Sequence, residues 1–189
     1  MDTGVWIIAA MLLAVALYPV VWLLVRSYLN WRGTRVVTCP ETKQFAAVEV
    51  DARGAAVSGL FGKPALRLSD CSRWPERWDC GQECVRQIEA APADCLVRVM
   101  LEKWYAGKSC VCCGKSLHEM NWLQHRPALR TPEGRTLEWW EINAEQIPEA
   151  LRTHQPVCWD CHVDQTFRRL FPDPATDRPP KEPPRKQAA

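Results

Sequence analysis

Four cysteines in two C-x-x-C pairs carry the clearest chemical signal in this chain. Cys110 and Cys113 form the first pair, and Cys158 and Cys161 form the second. Two such pairs, separated by enough residues to build a small domain, are typical of a zinc ion held by four thiolates. Gly114 follows the first pair and allows the backbone to fold back, so that amide N–H groups can point at sulfur. These four cysteines are therefore predicted to be metal ligands.

A second set of cysteines precedes this motif. Cys39, Cys71, Cys80 and Cys84 are candidates for a second four-sulfur site that holds zinc or an iron–sulfur cluster, with Cys95 as a fifth or substitute ligand. On a helix, residues four apart share one face, so Cys80 and Cys84 are expected to point the same way. The spacing matches no known metal motif. The alternative is that these thiols pack as small apolar side chains.

Cys158, Cys161 and His162 also form a C-x-x-C-H sequence, which is the attachment signature of c-type haem. In that alternative both cysteines form thioethers and His162 is the proximal iron ligand. The candidates for the distal ligand are Met100, Met120, His118, His125 and His154. Haem attachment would leave the first C-x-x-C pair without a partner, so the zinc interpretation is preferred.

Composition limits the classes of function. The chain has 189 residues, ten cysteines and a net charge of +2, which is too small for a nucleic-acid-binding surface. It contains no phosphate-binding glycine loop and no nucleophile elbow. Cys95 or Cys112 as a nucleophile paired with histidine has no supporting spacing, and Cys112 is expected to be a bystander between two ligands. No catalytic constellation and no small-molecule substrate is identified, which favours a protein that is not an enzyme.

The chain begins with a candidate transmembrane helix. Val5 to Val25 carry no charge, and at 1.5 Å per residue they span about 31 Å, enough for a bilayer core of about 30 Å. Arg26, Arg32 and Arg35 follow the run and no lysine or arginine precedes it. By the positive-inside rule, the N-terminus is expected outside a bacterial cytoplasmic membrane and the rest of the chain in the cytoplasm. There the thiols stay reduced, so the cysteines point to metal rather than disulfides.

The predicted fold class is α+β, with small metal-stabilised cytoplasmic lobes after the transmembrane helix. The predicted domains are 1–35 (anchor and juxtamembrane segment), 36–106 (cysteine-containing α+β lobe), 107–171 (zinc lobe) and 172–189 (disordered, proline-rich tail). Strands are predicted at 45–50 and 66–68, and a hairpin is predicted to join 128–131 to 135–139. Helices are predicted at 83–90, 93–105, 147–151 and 162–170. Residues 55–60 are predicted to be either a strand or a helical turn.

A metal knuckle, a hairpin and then a C-x-x-C pair at the head of a helix resemble a treble-clef zinc finger, over residues 110–170. The resemblance implies a structural zinc but no particular function. Thr38–Thr42 and Cys71–Trp74 are similar to a family of uncharacterised bacterial single-span, cysteine-rich membrane proteins, and no activity comes with that resemblance. The expected function is a membrane-anchored, zinc-binding interaction or assembly module with a protein partner in the membrane. The alternative is electron transfer by haem or by an iron–sulfur cluster in the first lobe.

Overall fold

The computed structural model describes residues 3–74, 76–77, 79–117 and 126–172. It confirms a mixed architecture of helices and short antiparallel strands. The helices are α1 (Thr3–Trp31), α2 (Ala52–Gly59), α3 (Val85–Ala90), α4 (Val97–Tyr105), α5 (Ile147–Thr153) and α6 (Trp159–Leu170); the strands are β1 (Arg35–Thr38), β2 (Phe45–Val50), β3 (Leu68–Cys71), β4 (Ala128–Arg130), β5 (Thr136–Glu138) and β6 (Gln155–Val157).

Two compact units make up the chain. The first comprises residues 1–106 and 142–152, and the second comprises 107–141 and 153–189. The first unit contains the three-stranded sheet β1-β2-β3, and the second contains the three-stranded sheet β5-β4-β6. The predicted proline-rich tail beyond residue 172, like His118, Met120 and His125, lies outside the described residues.

Helix α1 contains the predicted span. Within its segment Trp6–Trp31, an 18-residue window has a mean hydropathy of 2.5 and contains no buried residue. By length and composition it can cross a bilayer, and it is the one helix of that kind among the described residues. Pro19 lies inside the helix without ending it, as lipid-embedded helices tolerate.

Arg35 joins the end of α1 to the first sheet. Its side chain is fully buried, and its guanidinium donates hydrogen bonds to the main-chain oxygens of Asn30, Trp31 and Gly33 at 2.8, 2.7 and 3.1 Å. The last carbonyls of a helix have no partner within the helix. Because Arg35 is also the first residue of β1, these bonds fix where the sheet begins relative to the helix end.

The core of the first unit lies between the sheet and α3. It consists of the buried residues Val37, Ala46, Val48, Val50, Leu68, Cys71, Cys84 and Ile88. The side chain of Gln87 on α3 holds the end of β1, because its amide both accepts from the Thr38 N–H at 3.0 Å and donates to the Thr38 oxygen at 2.6 Å. Cys71 and Cys84 are thus part of a hydrophobic core as well as candidate ligands.

Two predicted elements differ from the structure in the first unit, and one open alternative is decided. Of the strand and the helical turn predicted for 55–60, the helical alternative is correct, because 55–59 lie in helix α2 and Leu60 is its C-cap. Helix α2 starts at an N-cap where Asp51 accepts a hydrogen bond from the Gly54 N–H at 2.9 Å. The third strand is Leu68–Cys71 rather than 66–68. The second helix of this region starts at Val97 rather than 93, because residues just before it hydrogen-bond to the edge of β1 instead, as in the 2.8 Å bond from the Val36 N–H to the Cys95 oxygen.

Candidate metal centre

The knuckle of the second unit is a tight turn from Cys110 to Lys115. The Cys110 N–H donates to the Lys115 oxygen and the Gly114 N–H donates to the Cys110 oxygen, both at 2.9 Å. Gly114 adopts a φ of +73°, a left-handed conformation that glycine adopts without a steric penalty. The predicted role of Gly114 in folding the backbone back is therefore confirmed.

Strand β6 leads directly into the second C-x-x-C pair, Cys158 and Cys161. It pairs with β4, and the N–H of Val111 in the knuckle donates to the Pro156 oxygen of β6 at 3.0 Å. Cys158 follows the strand directly and is the N-cap of α6, while Cys161 lies in the first turn of that helix. The predicted hairpin is present as β4 and β5, so knuckle, hairpin and helix occur in the expected order.

The four predicted ligands converge. The sulfur atoms of Cys110, Cys113, Cys158 and Cys161 all lie within 4.8 Å of one another, and the Cys113 and Cys158 sulfurs are 3.6 Å apart. Four sulfurs bound tetrahedrally to zinc at about 2.3 Å are about 3.8 Å from each other. The donor set therefore fits one four-coordinate cation, with Cys110 and Cys158 buried and Cys113 exposed.

The electrostatics of these thiols suit metal binding. Although burial opposes ionisation of Cys110, hydrogen bonds from backbone amides of Cys158, Cys113 and Cys112 lower its pKa to about 6. Burial raises the pKa of Cys158 and, together with the neighbouring thiols, that of Cys161. One ligand is thus ready as a thiolate at neutral pH, and a divalent cation must displace protons from the others.

Cys112 is not part of this group. Its side chain is exposed, and its sulfur accepts a hydrogen bond from the Gln165 side-chain amide at 3.1 Å.

An exposed ion pair between Lys115 and Asp160, at 3.4 Å, also links the knuckle to α6, but an exposed pair of this kind contributes little to stability.

His162 lies in the first turn of α6 and is buried. Its Nε2 lies 3.7 Å from a carboxylate oxygen of Glu138 on β5, and its Nδ1 is buried without a hydrogen-bond partner among the described residues. The centroid of the His162 ring lies 5.6 Å from that of the Trp159 ring, so the two rings are in contact. No sequence signal pointed to Glu138, which is far from the histidine in the chain.

The second set of cysteines meets at one cavity in the first unit. Cys39, Cys71, Cys80 and Cys84 all line a cavity of about 50 Å³, whereas Cys95 does not line it and instead lies 3.8 Å from the Gln87 oxygen. Their sulfurs are less tightly grouped: among the described residues, the set in the second unit is the one cluster within 4.8 Å.

The expectation that Cys80 and Cys84 share a helix face is wrong. Cys80 lies in a non-helical segment before α3, and Cys84 is the N-cap of α3. The two sulfurs are nevertheless close enough to influence each other. The pKa of Cys84 is raised to about 11, mainly by burial and in smaller part by the nearby thiols of Cys71, Cys80 and Cys39.

Comparison of the chain with known protein families, curated proteins and solved structures finds no match.

Proposed function

We propose that the chain is a membrane-anchored, zinc-binding module that binds or helps to assemble a protein partner in the membrane and is not an enzyme. The observation that carries this proposal is the convergence of four sulfurs within 4.8 Å in the second unit. A cation with four protein ligands has no open position for substrate, which is the arrangement of structural rather than catalytic zinc sites.

The element order around the site supports a treble-clef assignment. Cys110–Lys115 supplies the knuckle, β4 and β5 supply the hairpin, and α6 begins immediately after Cys158. The second unit has short strands and few buried side chains, so a bound cation would contribute a large part of its folding free energy.

The charges after α1 support a cytoplasmic location for both units. Arg26 and Arg32 are exposed at the end of the apolar segment, and the Arg26 guanidinium lies over the Trp22 ring at 5.1 Å. Arg35, in contrast, is buried against the helix end, and its guanidinium hydrogen-bonds to main-chain oxygens of the protein. Two exposed arginines beside an interfacial tryptophan favour the positive-inside orientation.

The metal is tested on the full chain, purified in detergent without oxygen. Elemental analysis is expected to find zinc, and the protein is expected to be colourless. A haem Soret band, or iron with broad absorbance near about 400 nm, would contradict the zinc proposal and support electron transfer at Cys158–His162 or in the first unit.

The orientation and the partner need separate experiments. A reporter that folds only in the cytoplasm, fused after Ala189, is expected to be active, and activity of an exported reporter would overturn the orientation. Crosslinking in membranes is then expected to join the chain to a membrane protein, and to fail when α1 is exchanged for an unrelated apolar helix. Identical crosslinks from both forms would contradict a partner recognised through α1.

A further inference from the structure

The turn that presents Cys39 repeats the turn that presents Cys110. In the first unit, the Cys39 N–H donates to the Gln44 oxygen and the Lys43 N–H donates to the Cys39 oxygen, both at 2.8 Å. These are the same two hydrogen bonds, at the same residue spacing, as in Cys110–Lys115. Lys43, at the position of Gly114, likewise has a positive φ of 55°.

The surroundings of the two sulfurs also correspond. Backbone N–H groups of Thr42 and Glu41 hydrogen-bond to Cys39 and lower its pKa, and these residues lie three and two positions after it. Cys110 receives amides from the same two positions, Cys113 and Cys112. The turn from 39 to 44 is thus a metal knuckle in backbone geometry, with threonine where the other knuckle has its second cysteine.

The other three thiols reach the same cavity from separate elements. Cys71 is the last residue of β3 and pairs with Val48, and Cys84 precedes α3. Between them, the Gln82 N–H donates to the Cys80 sulfur at 3.4 Å. Gln82 has a φ of 55°, and its side chain accepts from the Leu68 N–H at 2.9 Å, which ties the Cys80 turn to the sheet.

We propose that Cys39, Cys71, Cys80 and Cys84 bind a second zinc ion in the first unit. This site is separate from the one on which the proposed function rests. Simple packing of buried cysteines explains Cys71 and Cys84, which are in the core. It does not explain why backbone amides point at the sulfurs of the half-buried Cys39 and Cys80.

The backbone conformation beside Cys39 and Cys80 also supports their role as metal ligands. Lys43 and Gln82 are the two residues other than glycine with positive φ in the described part of the chain. Each follows one of the half-buried cysteines, in the turn that directs an amide at sulfur. L-residues rarely adopt this conformation unless the surrounding structure requires it, and presentation of a ligand sulfur is such a requirement.

The lining of this cavity combines the four cysteines with two ion pairs. Arg73 pairs with Glu76 at 3.6 Å and Arg77 pairs with Glu41 at 3.2 Å, so neither arginine adds net positive charge to the site. The cavity of about 50 Å³ leaves room for a cation.

The test counts zinc in the full chain purified without oxygen, with Zn²⁺ itself as the probe. The wild-type chain is expected to hold about two zinc ions, Cys80→Ser about one, and Cys95→Ser, a half-buried thiol of the same unit outside the cavity, about two. Cys113→Ser is expected to lose the other ion independently. A wild-type chain with one zinc that Cys113→Ser removes completely would overturn the proposal, as would iron in this cavity.

Alkylation of the unmodified chain gives a second readout that does not depend on a variant folding. Peptide mass spectrometry is expected to show Cys39 and Cys80 protected from a thiol reagent in the purified protein and reactive after a strong chelator is added. Exposed Cys112 is the internal control and is expected to react in both conditions. Equal reactivity of Cys39 and Cys80 with and without chelator would contradict the second site.

Discussion

The sulfur of Cys113 lies 3.6 Å from the sulfur of Cys158, although 45 positions separate the two residues in the chain. The pairing of β6 with β4 and the hydrogen bond from Val111 to Pro156 bring the two segments together. Two thiols at this distance, beside two others within 4.8 Å, have the geometry of ligands to one shared cation.

Replacing one of these ligands is expected to unfold the second unit. Cys113→Ser removes one of the four thiolates of the site that we propose binds zinc, and a structural zinc ion contributes on the order of 10 kcal/mol of apparent binding free energy at neutral pH. Hydrogen exchange measured on the full chain is expected to lose protection in 107–117 and 153–170 and to retain it in β2. Cys112→Ser is the matched control and is expected to keep both zinc and protection. Retained protection in Cys113→Ser would contradict a metal-dependent fold.

The sequence was sufficient to predict this cluster of four cysteines because they come in two local pairs. A C-x-x-C pair places two sulfurs on one turn whatever the rest of the fold, so only the meeting of two turns had to be inferred. The hairpin at 131–135 was also predictable: Thr131 and Arg135 close it with a 2.8 Å hydrogen bond, and Gly134 has the positive φ of 89° that its turn needs.

The first unit was harder to predict because its cysteines are not in pairs. Cys39 has threonine three positions later, and the similarity of its turn to that of Cys110 is in backbone hydrogen bonds that no residue pattern encodes. Helix α2 buries Ala52, Ala55 and Ala56, but the short run from residue 55 to residue 60 has too few residues for its periodicity to separate a strand from a helix. In such cases tertiary packing decides the structure rather than local propensity.

His162 is expected to matter for stability and not for metal binding. His162→Ala removes a buried ring from between Trp159 and Glu138, which is expected to lower the free energy of unfolding by on the order of 1–3 kcal/mol. Zinc content is expected to stay at the wild-type value, because the four thiolates are intact. His154→Ala, which removes a hydrogen bond to the Thr153 hydroxyl, is the control. Loss of the metal from His162→Ala would instead support the haem interpretation.

The metal-free first unit is expected to lose stability at alkaline pH. Burial raises the pKa of Cys84 from an ordinary 9.0 to about 11 in the folded chain, so folding favours the neutral thiol. Its contribution is present below pH 9 and is lost as the pH rises through about 11. Denaturation in the presence of chelator should show this decline, reduced in Cys84→Ala. An equal decline in the variant would assign the effect to other groups.

Arg35 is expected to be the most sensitive charged residue of the first unit. Its guanidinium is fully buried and satisfies three main-chain oxygens at the end of α1. Arg35→Met keeps much of the volume but leaves those oxygens without their donor, which costs about 1–3 kcal/mol by the usual penalty for unpaired buried groups. The stability of Arg35→Lys is expected to be intermediate, because an ammonium cannot reproduce the planar fork of donors.

Arg98→Met, which breaks an exposed ion pair with Glu102, is the control and is expected to change stability by at most about 0.5 kcal/mol. The measurement is chemical denaturation of the full chain in detergent, followed by hydrogen exchange of β1. If Arg35→Met and Arg98→Met are equally stable, the buried guanidinium does not hold the sheet to the end of α1.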